Sequence, residues 1–202
     1  MGNYFPNVIL EMDPYVIMEE RKKTNLAIYR TTLVIGASRF KQIAWYFVNI
    51  FFFKNPLVIL SSLKVWLLRL FGAKMGKGVV IKPSVNIKFP WKLRVGHHSW
   101  IGEGVWIDNL SEVIIGSNVT LSQGCLLLTG SHDHRKETFD FVTFPIILED
   151  GAWICARATV LGGTNCRSHS ILTANSVSDK DLEPYTIYKG NPAVAIKTRV
   201  IH

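Results

Sequence analysis

Two histidines, His132 and His134, stand in the polar run SHDHRKE, which interrupts an otherwise regular apolar rhythm. A neutral imidazole is the natural general base near neutral pH, because it titrates close to that pH and can accept a proton from a hydroxyl group. Long loops on a rigid scaffold often carry function. The sequence therefore predicts a loop at about residues 129–146 that is pushed out of a regular structure and presents a base.

The other residues of this loop suggest local roles. Asp133 is of a type that starts turns, and the basic and acidic residues after it are typical of a solvated surface. The aromatic residues Phe139, Phe141 and Phe144 are expected to fold against a neighbouring subunit rather than to extend into solvent.

Aliphatic side chains recur every six residues on both sides of the loop. A period of six matches neither a helix at 3.6 residues nor an exposed strand at 2. A unit of one short strand and one turn, repeated three times per coil, predicts a parallel β-helix over residues 75–177. Gly or Asn near the corners would ease left-handed backbone conformations. The inward positions are expected to be Met75, Ile81, Ile87, Val95, Ile101, Ile107, Ile115, Leu121, Leu127, Leu148, Ile154, Val160, Cys166 and Leu172.

The β-helix is expected between two further segments, an N-terminal region at 1–74 and a C-terminal tail at 178–202. Within the first, residues 43–71 are strongly apolar but are broken at Lys54, Asn55 and Pro56. This break predicts two helices rather than one membrane-spanning helix. The helices could lie on a membrane surface or could cap the open end of the β-helix, and the two roles are compatible. The tail is expected to add a short helix or strand to the last coil.

Composition limits the partners. The formal net charge is +8, from 23 basic and 15 acidic residues, which favours anionic partners such as phosphorylated cofactors or an anionic membrane. No nucleic-acid motif occurs, so nucleic acid is not expected as a partner. The three cysteines lack C-x-x-C spacing, and the N-terminus lacks the pattern of a signal peptide. We therefore expect a reducing, cytoplasmic location, with a possible peripheral position at the inner face of the membrane.

Several motifs carry a family resemblance. They are the six-residue rhythm, TGSH at 129–132, WICARA at 153–158 and KDLEPYTIYKGNPA at 180–193. Over roughly residues 43–201 the chain resembles the left-handed β-helix acyltransferases, and most closely the colanic-acid-type polysaccharide O-acetyltransferases. The resemblance implies a mainly β fold, acetyl-CoA as the donor, a hydroxyl of a sugar or polysaccharide precursor as the acceptor, and a homotrimer with active sites at the subunit interfaces.

The resemblance also suggests roles for single residues. His132 matches the family's T-x-x-H pattern, which begins here at Thr129, and it is expected to be the general base, whereas His134 is expected to be a loop residue. Asp108 and Asn109, on the preceding coil, could face the acceptor sugar or could simply form a corner. Trp153 is similar to a tryptophan that lines the family's acetyl-CoA tunnel, although it could serve packing alone.

For acetyl-CoA, the resemblance places small residues beside the pantetheine arm and basic residues near the phosphates, where cationic side chains suit a multiply charged anion. Asn175 replaces a glycine that is common in the family, and Asn tolerates a left-handed corner. No metal is expected. The candidate acetyl-CoA ligands are Ala156, Ala174, Lys180, Lys197 and Arg199.

Two other functions remain open. A metal-dependent hydratase that resembles the γ-class carbonic anhydrases could take ligands from His97, His98, His132 and His134 of neighbouring subunits. The H-x-x-x-x-H pair of those enzymes is absent from residues 130–150. The chain could also be a non-catalytic β-helix subunit.

Overall fold

The computed structural model describes residues 22–31 and 33–202. Between residues 74 and 178 the chain winds through five coils of three short strands each, and equivalent strands of successive coils pair in parallel. The first coil contains β1 (Lys74–Met75), β2 (Val80–Ile81) and β3 (Asn86–Ile87), and the second contains β4 (Leu93–Val95), β5 (Trp100–Ile101) and β6 (Trp106–Asp108). This architecture confirms the predicted mainly β fold, a parallel β-helix.

A loop separates the third coil from the fourth. The third coil contains β7 (Val113–Ile115), β8 (Thr120–Leu121) and β9 (Leu126–Leu128). The loop holds a small antiparallel hairpin, β10 (Gly130–His132) and β11 (Phe141–Thr143). The fourth coil contains β12 (Ile146–Leu148), β13 (Trp153–Ile154) and β14 (Thr159–Leu161), and the fifth contains β15 (Asn165–Cys166), β16 (Ile171–Leu172) and β17 (Val177–Ser178).

The coils form a prism with three flat faces. The first face holds β1, β4, β7, β12 and β15, and the third face holds β3, β6, β9, β14 and β17. The second face holds β2, β5, β8, β13 and β16 and is extended by two strands from the C-terminal tail. The loop therefore leaves the prism at the corner between the third face and the first.

The six-residue rhythm predicts the core almost completely. Side chains of the inward series stack in register through the prism, as Ile81, Ile101, Leu121, Ile154 and Leu172 do along the second face. All residues of the predicted series are buried except Met75, which is only partly buried and packs against the core. At one corner Asn175 has the left-handed φ of 57° that the sequence predicts.

Two helices lie over the open end of the first coil: α1 (Arg39–Val48), which continues into a π-helical turn at Asn49–Phe53, and α2 (Ser61–Leu70). Backbone groups of the first coil that point away from the second coil bond to their side chains. Trp45 Nε1 donates to the Ile87 carbonyl at 2.9 Å, Ser61 bonds the N–H and the carbonyl of Ile81, and Lys64 Nζ donates to the Lys82 carbonyl. The predicted helices thus cap the β-helix.

None of the helices in the described part of the chain is long and apolar enough to cross a membrane. At the opposite end of the prism the tail forms a hairpin of β18 (Thr186–Gly190) and β19 (Ala193–Thr198). β18 pairs in parallel with β16, and β19 covers the outer edge of β18. Of the two structures expected for the tail, the strand is the one that forms.

Candidate active site

The imidazole of His132 is held by its own loop. Its Nδ1 lies 3.0 Å from the backbone carbonyl oxygen of Phe139, which can only accept a hydrogen bond. The Phe139 ring stacks on the imidazole with centroids 4.4 Å apart, and the Phe141 ring meets it edge-on at 5.1 Å. Because Nδ1 must carry the proton in this bond, Nε2 of the neutral ring holds the free lone pair.

This arrangement corrects the expectation for two aromatic residues of the loop. Phe139 and Phe141 pack against His132 of the same chain, because the hairpin places His132 directly opposite Phe141. They fix the plane of the imidazole. Phe144 is half-exposed and, with Val142, borders a cleft of about 350 Å³ that is lined by Ser131, His132 and His134.

The charged residues of the loop bond to one another. Asp133 accepts hydrogen bonds from the backbone and side chain of Arg135, and these bonds hold the pKa of Asp133 below its usual range. Lys136 bonds to Asp140 at 2.8 Å, and this bond lowers the pKa of Asp140. Asp133 and the Oδ2 atom of Asp140 are thereby engaged by cations, while Asp140 Oδ1 has no hydrogen-bond partner among the described residues. The group that bonds to His132 Nδ1 is the carbonyl of Phe139. His134 is exposed, as expected of a loop residue.

An N-terminal segment, residues 22–37 apart from residue 32, lies beside the loop, and we call it the strap. Asn25 N donates to the carbonyl of Glu137 at 2.9 Å, and Thr31 pairs with Phe141 in a β-bridge. These contacts bring the Tyr29 ring to within 6.0 Å of the His132 ring. Sequence reasoning missed Tyr29, because no periodic or motif signal links this segment to the loop.

Asp108 and Asn109 lie next to the start of the loop but differ in their contacts. Thr129, which precedes the hairpin, donates its hydroxyl to the Asp108 carbonyl at 2.8 Å. The Asp108 carboxylate has one oxygen, Oδ1, that lacks a hydrogen-bond partner among the described residues and lies 3.7 Å from Lys88 Nζ. Asp108 can therefore accept a hydrogen bond from an incoming hydroxyl.

Asn109, by contrast, corrects a sequence-based expectation. Its side chain is fully buried, its Oδ1 accepts from Phe89 N at 2.9 Å, and its Nδ2 donates to the Phe89 carbonyl at 2.6 Å. Both ends of the amide are used to tie one coil to the previous one. The corner role, which the sequence left open, is the one that the structure gives to Asn109.

The candidate acetyl-CoA residues occupy another side of the prism. Trp153 lies on the second face, 41% exposed, with its Nε1 donating to Ser122 at 2.9 Å. Ala156 and Ala174 lie at turns between the second and third faces and are joined across coils by a bond from Asn175 N to the Ala156 carbonyl. Lys197 lies on β19 of the same face, and Lys180 follows β17; both are exposed.

Arg199 is only partly available to a ligand. Its Nη1 donates to the carbonyls of Gly151 and His169 at 2.9 and 3.1 Å, which fastens the end of the tail to two coils. Its position just beyond β19 still places it at the second face. Its main role here is structural, in contrast to the phosphate contact expected from the sequence.

The candidate residues therefore fall into two sets within one chain. The acceptor set, His132 and Asp108, lies at the corner between the third and first faces. The donor set, Trp153, Ala156, Ala174 and Lys197, lies on the second face or at its edge. In a triangular prism the second face lies opposite that corner, so one chain does not bring the two sets together.

The thiols and the metal-ligating residues indicate no other chemistry. Burial raises the pKa of Cys155 to about 11 and that of Cys125 to about 12, so neither thiol is a ready nucleophile near neutral pH. Within residues 22–31 and 33–202, no three His, Cys, Asp or Glu side chains gather as metal ligands. His97 Nδ1 instead accepts a hydrogen bond from Lys77 N.

Comparisons with known proteins identify relatives of the chain. No protein-family model matches the chain. Escherichia coli WcaF, which is assigned to colanic acid biosynthesis as an acetyltransferase, is 38% identical over 165 residues, covering 82% of this chain and 91% of the relative. Galactoside O-acetyltransferase of E. coli is 23% identical over 128 residues, covering 62% of this chain and 63% of that protein.

Solved structures show the same fold. The hexapeptide-repeat acetyltransferase of Vibrio cholerae, complexed with acetyl coenzyme A, has a TM-score of 0.73 at 23% identity and covers 82% of this chain and 92% of that one. A galactoside acetyltransferase in complex with coenzyme A has a TM-score of 0.69 at 20% identity, with 78% and 80% covered.

Proposed function

Because the chain belongs to the hexapeptide-repeat acetyltransferases, in the colanic-acid-type group, we propose that it moves an acetyl group from acetyl-CoA to a hydroxyl of a sugar or polysaccharide precursor. The donor is supported by the fold neighbours that hold acetyl coenzyme A or coenzyme A. The acceptor class is supported by the relatives, which are assigned to colanic acid biosynthesis and to galactoside acetylation.

His132 is the proposed general base. The observation that carries this role is the bond from its Nδ1 to the Phe139 carbonyl, which leaves the Nε2 lone pair free to accept a proton. An acceptor hydroxyl is too weak an acid to ionise alone near neutral pH. Nε2 takes its proton as the oxygen attacks the thioester carbonyl, and the imidazolium then returns that proton to the departing thiolate.

Asp108 is proposed to orient the acceptor. Its side chain is almost fully buried, and its Oδ1 lacks a hydrogen-bond partner among the described residues, an arrangement that is costly unless a ligand or water supplies a donor. A sugar hydroxyl would satisfy this atom and would be held at the same corner as His132. Lys88 Nζ lies 3.7 Å from the same oxygen and forms an ion pair with it.

The quaternary structure proposed is a homotrimer with its active sites between subunits. The support is the separation of the acceptor set from the donor set on opposite sides of the prism. If the corner of one subunit faces the second face of its neighbour, a complete site forms at each interface. The proposed location of the reaction is the cytoplasm, and it would be the inner face of a membrane if the acceptor is bound there.

The test is a release assay for free thiol with acetyl-CoA and a screen of nucleotide sugars and oligosaccharides. We expect His132→Ala to lower kcat by about 10² to 10⁴, the range typical of a lost general base, and His134→Ala, in the same loop, to retain activity. Full activity of the first variant together with loss of activity in the second would refute the assignment. Absence of thiol release with every acceptor would favour a non-catalytic β-helix subunit.

A further inference from the structure

The capping helices are apolar on both of their sides. From Ile43 to Phe53 only Trp45, Tyr46 and Asn49 carry polar atoms in their side chains, and none of these residues is charged. Trp45 and Phe53 are buried against the β-helix, as are Val65, Leu67 and Leu68 of α2. A helix that is apolar all round normally has no face in water, so the outward side of this layer calls for a second apolar or interfacial environment.

The outward side presents large exposed side chains. We call it the outer apolar surface, and its members are Phe40, Ile43, Phe47, Phe51, Leu57, Ile59, Leu60, Trp66 and Leu70. Phe40 is 82% exposed and Leu57 is 85% exposed, and the rings of Phe47 and Phe51 stack on each other at 6.5 Å. Large apolar side chains that are exposed together in one patch usually indicate a site of interaction with another molecule or a membrane.

The charges around this surface have one sign. No Asp or Glu occurs anywhere between residues 21 and 102, so every charged side chain in the helices and in the first coil is Lys or Arg. Arg39, Lys54, Arg69, Lys74 and Lys77 are exposed around the layer. Basic residues that flank exposed aromatic and aliphatic side chains match the chemistry of an anionic lipid surface, where headgroups attract the charges and acyl chains receive the apolar groups.

The hydrogen bonds of the cap fix the direction of the surface. Trp45, Ser61 and Lys64 bond to backbone groups of the first coil that point away from the second coil. The helices therefore lie across the end of the prism, and their other side faces away from the coils, whereas the loop leaves the prism after the third coil. A flat surface can approach it without touching the candidate active site.

We propose that the outer apolar surface docks on an anionic lipid bilayer, with α1, the π-helical turn and α2 lying in the plane of the interface. This proposal does not depend on acetyl transfer, because it uses none of the residues of the candidate site. A second copy of the chain is the competing occupant. It fits less well, because a self-complementary contact would bring uniformly basic surfaces together.

The experiment is flotation of the purified full-length protein with vesicles of phosphatidylcholine mixed with phosphatidylglycerol, and with vesicles of phosphatidylcholine alone. We expect the protein to float with the anionic vesicles and to float much less with the neutral ones, and high salt to weaken the binding. The triple variant Phe40→Gln, Phe47→Gln, Trp66→Gln should bind anionic vesicles at least about tenfold more weakly, because three anchoring side chains are lost.

A matched control lies at the opposite end of the prism. Val194 and Ile196 of β19 are 60% and 50% exposed, and Val194→Gln with Ile196→Gln should leave vesicle binding unchanged. Unchanged melting temperature and molecular mass would show that the triple variant is folded and assembled as before. Equal flotation of the triple variant and the unmodified protein, or no flotation of either, would overturn the proposal. A smaller molecular mass of the triple variant would assign the surface to contact between copies.

Discussion

Adjacent residues can have opposite roles at a corner of a β-helix. Asp108 ends a strand, and one of its carboxylate oxygens has no hydrogen-bond partner in the described part of the chain. The next residue, Asn109, is fully buried with both ends of its amide bonded to Phe89. Both residue types are common at corners and in sugar sites, so the sequence does not distinguish them. Only the bonding partners show that the first can receive a ligand and that the second joins two coils.

A pair of substitutions separates these roles. Asn109→Ala removes two hydrogen bonds and leaves the N–H of Phe89 without a partner, while the Phe89 carbonyl still accepts from Lys92 N. We therefore expect the free energy of unfolding to fall by about 1 to 3 kcal/mol. Asp108→Asn keeps the shape of the side chain and should change stability much less, while lowering kcat/KM for the acceptor. Thermal or denaturant unfolding and steady-state kinetics measure the two effects. The reverse pattern would contradict both assignments.

At the scale of single residues the sequence proposes a base but not its surroundings. The TGSH motif points to His132, which the structure holds inside the folded loop, whereas His134 is exposed. The orienting group is a backbone carbonyl, which every residue has, so no residue type reveals it. Tyr29 approaches His132 only because the strap crosses the loop, and such a contact leaves no local pattern in the sequence.

At the scale of elements, the helical cap solves the problem of an open β-edge. Within residues 22–31 and 33–202 the first coil has no strand on its outer side, so its outward N–H and carbonyl groups need other partners. Trp45, Asn49, Ser61 and Lys64 supply them. The apolar character of residues 43–71 predicts helices, but the polar side chains scattered among them are what bind the edge.

Lys64 gives this cap a pH dependence. Burial lowers its pKa below the ordinary value of 10.5, so the folded protein releases this proton more readily than the unfolded chain. At a pH below the lowered pKa the folded state bears the full cost of burying the charge. As the pH rises through that pKa toward 10.5, the folded state loses the proton first and the cost disappears.

We therefore expect the difference in melting temperature, Lys64→Met minus unmodified protein, to become smaller as the pH is raised from about 7 to about 10. Loss of the hydrogen bond to the Lys82 carbonyl lowers the melting temperature of the variant by the same amount at every pH. The change of the difference with pH therefore reports the charge of Lys64 alone. Lys54→Met, at an exposed position of the same layer, serves as the control and should show no trend. A difference that grows with pH would show that the charge of Lys64 stabilises the fold.

The elements themselves were predictable to different degrees. A six-residue period recurs over about 100 residues and specifies the coil, because each inward position must fill the same narrow space inside the prism. The C-terminal hairpin has no such repeat, and the sequence left its type open between helix and strand. Its structure is decided by the unpaired edge of β16, which a parallel strand can extend.

At the scale of the whole molecule, the separation of the acceptor set from the donor set predicts complementation between subunits. His132→Ala removes the base, and Ala174→Trp should obstruct the donor face. In the proposed homotrimer each variant alone should be inactive, but mixed trimers would contain interfaces that combine an intact corner with an intact second face. With random mixing about a quarter of the sites should be active, as measured by thiol release after refolding or co-expression of the two variants.

Two results bear on this prediction. Activity that stays at the level of the separate variants, although mass measurement shows mixed trimers, would place the whole site within one chain. A mixture of His132→Ala with Asp108→Ala serves as the control, because both substitutions lie in the acceptor set. In that mixture every corner carries one of the two substitutions, so no active site is complete. Mixing should therefore restore no activity.

The stacking of coils above the helical cap also fixes the distance between His132 and the outer side of the cap. Successive coils are about 4.8 Å apart, and the loop with His132 leaves the third coil, so the imidazole lies about 10 Å beyond the first coil along the prism. The helical layer adds about 10 Å more. If the cap rests on a bilayer, His132 lies about 20 Å above the headgroups. Among chemically identical hydroxyls of a lipid-linked glycan, the enzyme would then acetylate those about 20 Å from the membrane. It would not reach the sugar that is joined directly to the lipid.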